Sequence, residues 1–247
     1  MINIAIAGIN GAMGQVLAGL VENDENLNLV CGISRSANQK IKTYESFDDI
    51  KEDVDVIIDF SSPDLLDSML DYAKRTNTKL VIATTGYSEE QEEKIERISE
   101  EIAILKAGNM SLGVNVLKQI TTQLSSLLKD FDIEIVEAHH NLKKDAPSGT
   151  AKMLFDAVKK DRKDAKAVYD RHDFSKKREK NEVGISSIRA GSIVGEHEIY
   201  FAGVDEVVKI SHQALSKKIF AKGAIEAAKF IINKEKGLYD MDDCLRS

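Results

Sequence analysis

The first 33 residues contain the pattern that most limits the possible folds. Ile2 to Ala7 is a short, uninterrupted apolar run, which is typical of a strand buried on both faces of a parallel sheet. Gly8, Gly11 and Gly14 follow in GINGAMG, then apolar residues at helical spacing, then a second apolar run at 27–33. This β-turn-α-β order with glycine at the first turn is the dinucleotide-binding arrangement, because the glycines allow a pyrophosphate to approach the helix N-terminus. A tight turn that only packs helix on strand is the alternative.

The alternation of strand and helix continues to about residue 107. Apolar runs at 54–60, 80–83 and 102–105 predict three further strands, separated by segments with helical spacing. Repeated units of this kind predict an α/β fold of Rossmann type, with a doubly wound parallel sheet. Such sheets bind ligands beyond the carboxyl ends of their strands. The residues at two such ends are Ala83, Thr84, Thr85, Ala107, Gly108, Asn109 and Met110.

The end of the second strand bears on the choice of nicotinamide cofactor. The usual fingerprint has an acidic residue there for the ribose 2′-hydroxyl, whereas this chain has Ser34 and Arg35 within GISRS. A carboxylate would repel a 2′-phosphate, and an arginine can pair with one. A surface arginine in a polar loop is the alternative.

A second constellation occupies EIVEAHHNLKKDAPSGT, residues 134–150. A strand-like run leads to the adjacent His139 and His140, then to Lys143, and a helical run begins directly after Ser148. The order is therefore strand, basic loop and helix N-terminus, where free N–H groups and the helix dipole favour an anion. Because imidazole titrates near neutral pH, the segment is suited to bind a carboxylate and to move a proton.

A solvated turn before a well-capped helix is the alternative interpretation of this segment. Pro147 and Ser148 are common at helix starts, and one exposed histidine or lysine is ordinary. The whole cluster on one short loop favours a site. Adjacent residues of a strand point to opposite faces, so His139 and His140 share a pocket only if the strand ends at or before them.

The pattern changes again towards the C-terminus. Residues 161–181 are strongly charged, and the part RHDFSKKREKN, residues 171–181, is expected to be an exposed loop in which His172 has no catalytic role. Extended runs at 183–189, 193–201 and 207–212 then predict an antiparallel or mixed sheet with one broad face, suited to cover substrate or to bury against another subunit.

A last helical segment at 219–232 is long enough to return and pack on the first sheet. We therefore expect a dinucleotide-binding domain at 1–108 and an inserted α+β domain for substrate binding and oligomerisation at 109–216. Residues 217–247 are then a returning helix and tail on the dinucleotide-binding domain.

Composition excludes several classes of protein. A net charge of −7 argues against a general nucleic-acid binder, so any basic site must be local. The two cysteines, Cys31 and Cys244, fit neither a disulfide framework nor a metal site, which favours a reduced, cytoplasmic protein. No apolar stretch approaches membrane-spanning length, so no membrane partner is expected.

Several longer motifs carry a specific resemblance. They are IAIAGINGAMG, IDFSSP, ATTGYSEEQ, GNMSLGVN, VEAHHNLKKDAPSGTA, IRAGSIVGEH and GLYDMDD. With these the chain resembles, from end to end, the 4-hydroxy-tetrahydrodipicolinate reductases, also called dihydrodipicolinate reductases, of diaminopimelate and lysine biosynthesis. The resemblance implies a Rossmann domain with an inserted substrate domain whose sheet builds a homotetramer. It also implies reduction of a cyclic imine-type dicarboxylate with NADH or NADPH.

The resemblance also assigns roles to residues. His139 matches the family's proton donor or acceptor, and Lys143 matches its proton-donating lysine. The positions that match substrate contacts are His140, Ser148, Gly149 and Thr150. The positions that match cofactor contacts are Gly8, Ile9, Asn10, Gly11, Ala12, Met13, Ala83, Thr84, Thr85, Ala107, Gly108, Asn109 and Met110. No metal is implied.

Two positions depart from the family pattern. Ser34 stands where many members carry a ribose-binding acid, which argues against a strong preference for NADH. Lys217 stands where many members have an arginine near the substrate, so the charge is kept but bidentate recognition of a carboxylate is lost.

Three functions remain open at this stage. The first is the reductase that the resemblance implies, and the second is a related imine or amino-acid dehydrogenase on the same fold. The third is a nucleotide-sensing protein that binds cofactor without turnover, against which the intact set of His139, Lys143 and Ser148–Thr150 argues.

The Ser34-Arg35 pair leads to a prediction about the cofactor. We expect NADPH to be accepted at least as well as NADH, because a charge-assisted contact to the 2′-phosphate contributes about ten- to a hundredfold in affinity. Titration of both reduced cofactors against the native protein and Arg35→Ala measures this. A selective loss of NADPH affinity supports the role of Arg35, whereas equal losses, or a native preference for NADH, would contradict it.

Overall fold

Two units make up the chain in the computed structural model, which describes residues 1–169, 171–172 and 175–247. Unit 1 comprises Met1–Leu112 and Lys218–Ser247, and unit 2 comprises Gly113–Lys217. The chain therefore leaves the first unit once and returns to complete it.

Unit 1 contains a parallel sheet of seven strands. In chain order they are β1 (Ile2–Ala7), β2 (Leu27–Ile33), β3 (Thr43–Tyr44), β4 (Val56–Asp59), β5 (Lys79–Ile82), β6 (Ala103–Lys106) and, after the five strands of unit 2, β12 (Gly237–Tyr239). They lie in the order β12-β6-β5-β4-β1-β2-β3, and each neighbouring pair is parallel. The order reverses between β1 and β4, which puts the topological switch point, where such sheets bind ligands, beside β1.

The sheet of unit 1 has an apolar layer on each face. Its helices are α1 (Ala12–Val21), α2 (Leu66–Thr76), α3 (Glu89–Ser99), α6 (Lys218–Ile231) and α7 (Met241–Leu245). Ile4 and Ile6 of β1 lie in one core with α1 and α6, whereas Ala5 and Ala7 lie in the other with α2 and α3. Alternate residues of one strand thus serve opposite layers, and the predicted doubly wound fold is confirmed.

Unit 2 is built on a mixed sheet. Its strands are β7 (Asp132–His139), β8 (Lys166–Val168), β9 (Glu182–Arg189), β10 (Gly195–Ala202) and β11 (Val207–Ala214), in the order β11-β10-β7-β9-β8. β10 is antiparallel to β7 and β11, whereas β9 is parallel to β7 and β8. The prediction of a mixed sheet is therefore confirmed.

One face of this second sheet forms the core of unit 2. The helices are α4 (Leu112–Leu127), which begins at the unit boundary, and α5 (Gly149–Lys159). Ile135 of β7 and Phe201 of β10 are fully buried in a cluster that also contains Leu154 of α5. Since α5 covers this face, its N-terminus lies near the carboxyl end of β7.

The prediction of an exposed loop at 171–181 was wrong at Arg178, which is largely covered, donating to the carbonyl of Ile133 (2.9 Å) and pairing with Asp132 (2.6 Å). Before this loop, β8 adds an edge strand to the sheet where no strand was predicted. A three-residue edge strand inside a charged stretch lacks the alternation that identifies longer strands. Asp170, Asp173 and Phe174 of this stretch lie outside the described residues.

The short elements β3, β12 and α7 also escaped prediction, because two to five residues are too few to show a period. In the described part of the chain, no helix combines the length and the hydropathy needed to cross a bilayer.

The glycine turn after β1 gives a prediction about stability. A Cβ on Gly14 would lie 2.2 Å from the carbonyl oxygen of Gly8 and 2.7 Å from Cα of Ile9, whereas a Cβ on Gly19 of the same helix would meet nothing within 4 Å. Gly14→Ala should therefore lower the free energy of unfolding by about 3 kcal/mol. Gly19→Ala, the matched control, should raise it by about 0.5–1 kcal/mol. Urea denaturation measures both, and similar changes in the two variants would contradict the close packing of α1 on the turn.

Candidate active site

Glu137 is the fully buried centre of a polar cluster in unit 2. Its Oε2 accepts from Nδ1 of His139 (2.6 Å) and from Nη1 of Arg189 (2.8 Å). Its Oε1 accepts from Nη2 of Arg189 (2.8 Å) and from the backbone N–H of Ser148 (3.1 Å). One carboxylate thereby joins the ends of β7 and β9 to the start of α5.

The charge of Glu137 is held by its partners. Burial alone raises the pKa of this carboxyl, but hydrogen bonds from Arg189, Ser187, His139 and Ser148 outweigh it and lower the pKa to about 2. Glu137 is therefore ionised at any physiological pH. A buried charge of this kind needs its bidentate guanidinium partner.

The contact with Glu137 determines the tautomer of His139. Because the carboxylate accepts at Nδ1, the neutral ring carries its proton there and leaves Nε2 to exchange a proton with a ligand. Nε2 lies 3.1 Å from the place that a Cβ on Gly195 would occupy. Glycine at 195 therefore leaves space beside this nitrogen.

The start of α5 provides donors for an anion. Ser148 is the N-cap, and its Oγ accepts from the backbone N–H of Ala151 (3.2 Å). Gly149 is exposed and Thr150 is half-buried in the first turn. The N–H groups of this turn and the helix dipole favour negative charge next to the Glu137–His139 pair.

Lys143 lies on the loop between β7 and α5. Its Nζ pairs with Asp145 (2.8 Å), and the carbonyl of Asp145 accepts from Nη2 of Arg189 (2.7 Å). The loop that carries the lysine is thus attached to the same arginine that holds Glu137. His140 follows the last residue of β7, and Lys217 is exposed after β11.

His197 forms the inner wall of the cluster. Its ring is 4% exposed, its Nε2 lies 3.0 Å from Oγ of Ser148, and it meets His139 edge-on with 5.2 Å between ring centroids. Burial, with a smaller contribution from His139, lowers the pKa of His197 to about 4, so this imidazole is neutral near pH 7.

Unit 1 brings the predicted cofactor residues to one edge of its sheet. Gly8 follows β1 with a φ of 80°, and a Cβ there would lie 2.5 Å from the carbonyl oxygen of Phe60, which follows β4. Gly11 precedes α1 and offers no side-chain cap to its first N–H groups. The turn therefore has the tight backbone and the free helix N-terminus that a pyrophosphate requires, and the residues present fit a dinucleotide.

The glycine turn is also attached to the loop after β2. Nδ2 of Asn10 donates to Oγ of Ser34 (3.0 Å) and to the carbonyl of Ser36 (2.7 Å). Arg35 points outward with its side chain 88% exposed, 3.9 Å from the carboxylate of Asp64. An exposed guanidinium is screened by water, which places its expected effect on NADPH affinity near tenfold.

Some predicted cofactor residues are buried. Ile9 and Met110 belong to the core between the sheet and α6. The hydroxyl of Thr84 accepts from the backbone N–H of Ser61 (2.9 Å). The side chains of these three residues are therefore largely covered, whereas Gly11, Ala12, Thr85 and Gly108 are exposed.

Among the described residues, one cavity lies at a candidate site and a larger one does not. A cavity of about 490 Å³ is lined by Ile9 and Asn10, beside the glycine turn. A larger one of about 800 Å³ lies in unit 2 around Arg162, away from the Glu137 cluster. Arg162 uses its guanidinium to hold the carbonyls of Phe131 and Leu128, which is a structural role. The candidate site in unit 2 is therefore the polar cluster around Glu137 and not the cavity around Arg162.

Comparison with known proteins identifies the family. A family model described as "Dihydrodipicolinate reductase, N-terminus" matches residues 2–110, and one described as "Dihydrodipicolinate reductase, C-terminus" matches residues 113–245. The chain belongs to the dihydrodipicolinate reductase family. The resemblance stated from its motifs is thereby confirmed, and with it the membership of an NAD(P)H-dependent oxidoreductase family.

Curated relatives of this family match the chain along its length. A protein of Clostridium novyi (strain NT) is 43% identical over 251 residues, covering 100% of this chain and 99% of the relative. One of Staphylococcus aureus (strain JH9) is 44% identical over 235 residues, covering 94% and 96%. Both are named 4-hydroxy-tetrahydrodipicolinate reductase.

Solved structures show the same fold. A dipicolinate-bound dihydrodipicolinate reductase from Paenisporosarcina sp. TG-14 matches with a TM-score of 0.84 and 23% identity, covering 97% of each chain. An amine dehydrogenase from Mycobacterium smegmatis matches with a TM-score of 0.63 and 11% identity, covering 96% of this chain and 94% of that one. At these identities the likeness concerns the fold alone.

Sequence reasoning missed three members of the cluster. Glu137 had a signal, since it precedes His139 by two residues in a strand and so shares its face. Arg189 and His197 lie in IRAGSIVGEH, a motif that marks the dihydrodipicolinate reductase family, but their partners depend on strand pairing. Arg189 is opposite His139, and His197 is opposite Glu137.

The low pKa of Glu137 predicts how stability changes with pH. The folded pKa of about 2 is below the ordinary value of 4.5, so the stabilisation is complete above pH 4.5 and is lost as the pH falls towards 2. Glu137→Gln should therefore flatten the fall of unfolding free energy in that window. At pH 7 it should cost about 3–5 kcal/mol, because Arg189 keeps a charge without its partner.

Urea denaturation between pH 2 and pH 7 tests this expectation. Glu134→Gln is the matched control, since Glu134 is a more exposed carboxylate on the same strand and pairs with Arg178. It should change stability by only about 0–1 kcal/mol. An acid-stability profile for Glu137→Gln parallel to that of the native protein would contradict the assignment.

Proposed function

We propose that this chain reduces 4-hydroxy-tetrahydrodipicolinate to tetrahydrodipicolinate with NADPH or NADH, in diaminopimelate and lysine biosynthesis in the cytoplasm. The observation that carries the proposal is the Glu137–His139 pair, placed beside the N-terminus of α5. That arrangement offers a proton donor at Nε2 of His139 next to N–H donors for a carboxylate. The full-length relatives that bear the reductase name support the same substrate.

The substrate is a dicarboxylate, and unit 2 has groups for both charges. Ser148, Gly149 and Thr150 offer hydroxyl and N–H donors in the first turn of α5. His140 and Lys217 are the further proposed contacts. Lysine at 217 acts as a point charge, which fixes a carboxylate less rigidly than a guanidinium.

The reduced nicotinamide supplies a hydride when it is bound, and unit 1 is the part of the chain that would hold it. Loss of the 4-hydroxyl group as water converts the substrate into a conjugated C=C–C=N system. Once the terminal carbon of that system has received the hydride, the neighbouring carbon needs a proton. His139 gives that proton from Nε2, and the Glu137 carboxylate stabilises the imidazolium form before transfer. Lys143 is the second proposed proton donor, held near the loop by Asp145.

We further propose that the chain acts as a homotetramer through the sheet of unit 2. Ile188 and Val207 lie on the face opposite its core, where they are 48% and 59% exposed. Tyr200 and Lys209 form a cation–π contact on the same face, with Nζ 4.9 Å from the ring centroid. A broad face of this mixed character suits burial against another subunit.

A coupled assay tests the function. Condensing pyruvate with aspartate semialdehyde supplies the substrate, and the fall in absorbance of NADPH or NADH follows the reduction. We expect consumption of the cofactor only when the condensation product is present. Turnover of simple imines or amines instead would select a related dehydrogenase, and binding of cofactor without turnover of any imine would select a nucleotide sensor.

A substitution of His139 tests its proposed role as proton donor most directly. His139→Gln should keep the fold and cofactor affinity but reduce turnover about 10²–10⁴-fold, since a general acid or base contributes on that scale. His172→Gln is the matched control and should retain native turnover, because His172 lies in the charged segment 161–181, which contributes none of the residues of the Glu137 cluster. Near-normal turnover in His139→Gln would remove this residue from the chemistry.

A further inference from the structure

His197 makes two contacts that the proposed proton transfer does not use. Its Nε2 lies 3.0 Å from Oγ of Ser148, and its ring packs edge-on against His139. It stands opposite Glu137 on β7 and opposite His212 on β11, so the three side chains form one row across the sheet. Burial of a histidine at this depth costs free energy unless its polar atoms make hydrogen bonds.

The hydroxyl of Ser148 can make only a limited set of hydrogen bonds, so one contact restricts the others. The oxygen already accepts from the N–H of Ala151, which is the helix cap. A hydroxyl has one proton to donate and two lone pairs that accept. If Nε2 of His197 accepts, the O–H of Ser148 donates to His197 and is not available to a ligand. If Nε2–H donates, both lone pairs are filled and the proton must point elsewhere.

The other nitrogen of His197 distinguishes these cases. Nδ1 is buried and has no hydrogen-bond partner among the described residues. A buried N–H without an acceptor is rarer in proteins than an acceptor without a donor. The neutral ring is therefore better placed with its proton on Nε2, directed at Ser148, and a bare lone pair on Nδ1.

We propose that His197 is a positioning residue which, through an Nε2–H donor, turns the hydroxyl proton of Ser148 towards a carboxylate of the substrate. The inference rests on the proposed function for the identity of that anion, a ring dicarboxylate. The contact itself is a property of unit 2 alone.

The surroundings keep His197 in the neutral form that this role requires. The groups that face it are His139 and Glu137 from β7, His212 from β11 and Lys143 from the following loop. Burial and the three nearby basic groups lower its pKa, and Glu137 opposes them only in part. With a pKa of about 4, His197 remains an uncharged donor over the physiological range.

The tautomer is measured first, on the native holoprotein with ¹⁵N-labelled histidine. The chain has five histidines, so each imidazole signal can be assigned from single variants. We expect the ¹⁵N shifts and two-bond couplings of His197 to report an Nε2–H tautomer at pH 7. An Nδ1–H tautomer would overturn the proposal without reference to any ligand.

A double-mutant cycle then tests the action through Ser148, with dipicolinate as the probe. Ser148→Ala and His197→Leu should each weaken dipicolinate binding about tenfold or more, since a donor to a charged group is lost. His197→Leu in the Ser148→Ala background should add little. His197→Gln, which keeps an amide donor, should recover part of the affinity, and NADPH affinity should stay native in all four.

Additive losses in the cycle, or no rescue by glutamine, would mean a merely structural role and would overturn the proposal. If His197→Leu does not fold, the tautomer measurement and the glutamine variant still decide. Dipicolinate binding with the expected coupling but no turnover in the coupled assay would reject the proposed function and leave the role of His197 intact. Turnover in the coupled assay together with additive losses in dipicolinate binding would support the proposed function and overturn the role of His197.

Discussion

The bidentate pair between Glu137 and Arg189 is the interaction on which the candidate site depends. It places a full negative charge in a fully buried position, and that charge then attracts the imidazole of His139 and the N–H of Ser148. Removal of Arg189 would leave the buried carboxylate of Glu137 without its cationic partner, and removal of Glu137 would leave the half-buried guanidinium of Arg189 without its carboxylate. The ends of two strands, a helix start and the loop with Lys143 are all oriented by this one contact.

The two units use different physical means to prepare for anions. Unit 1 relies on backbone, since glycine lets the turn after β1 approach the chain after β4 and leaves the first N–H groups of α1 open. Unit 2 adds side chains to the N–H groups at the start of α5, since Glu137 holds His139 and His197 contacts Ser148 beside that helix start. Backbone donors suit a phosphate that is common to many cofactors, whereas side chains can discriminate between substrates.

The sequence predicts the fold where patterns are local and long. Strand–helix alternation up to residue 107 identifies the parallel sheet, and the run 134–150 identifies the segment with His139, Lys143 and Ser148. The sequence does not predict the side-chain contacts that arise when distant strands pair. Arg189 is 52 residues from Glu137 and His197 is 49 residues from Ser148, and neither separation has a period or a motif of its own. The short strand at 166–168 is hidden for a different reason, because the charges around it mask an edge strand.

The return of the chain to unit 1 has a consequence for biosynthesis. β12 pairs with β6, and Ala221, Ala224 and Ala228 of α6 are fully buried against the first sheet. These residues leave the ribosome after every residue of unit 2 has been made. The strands of unit 1 that precede unit 2 are therefore made well before α6 and β12, and one face of their sheet is covered by α1 alone until residues 218–247 emerge.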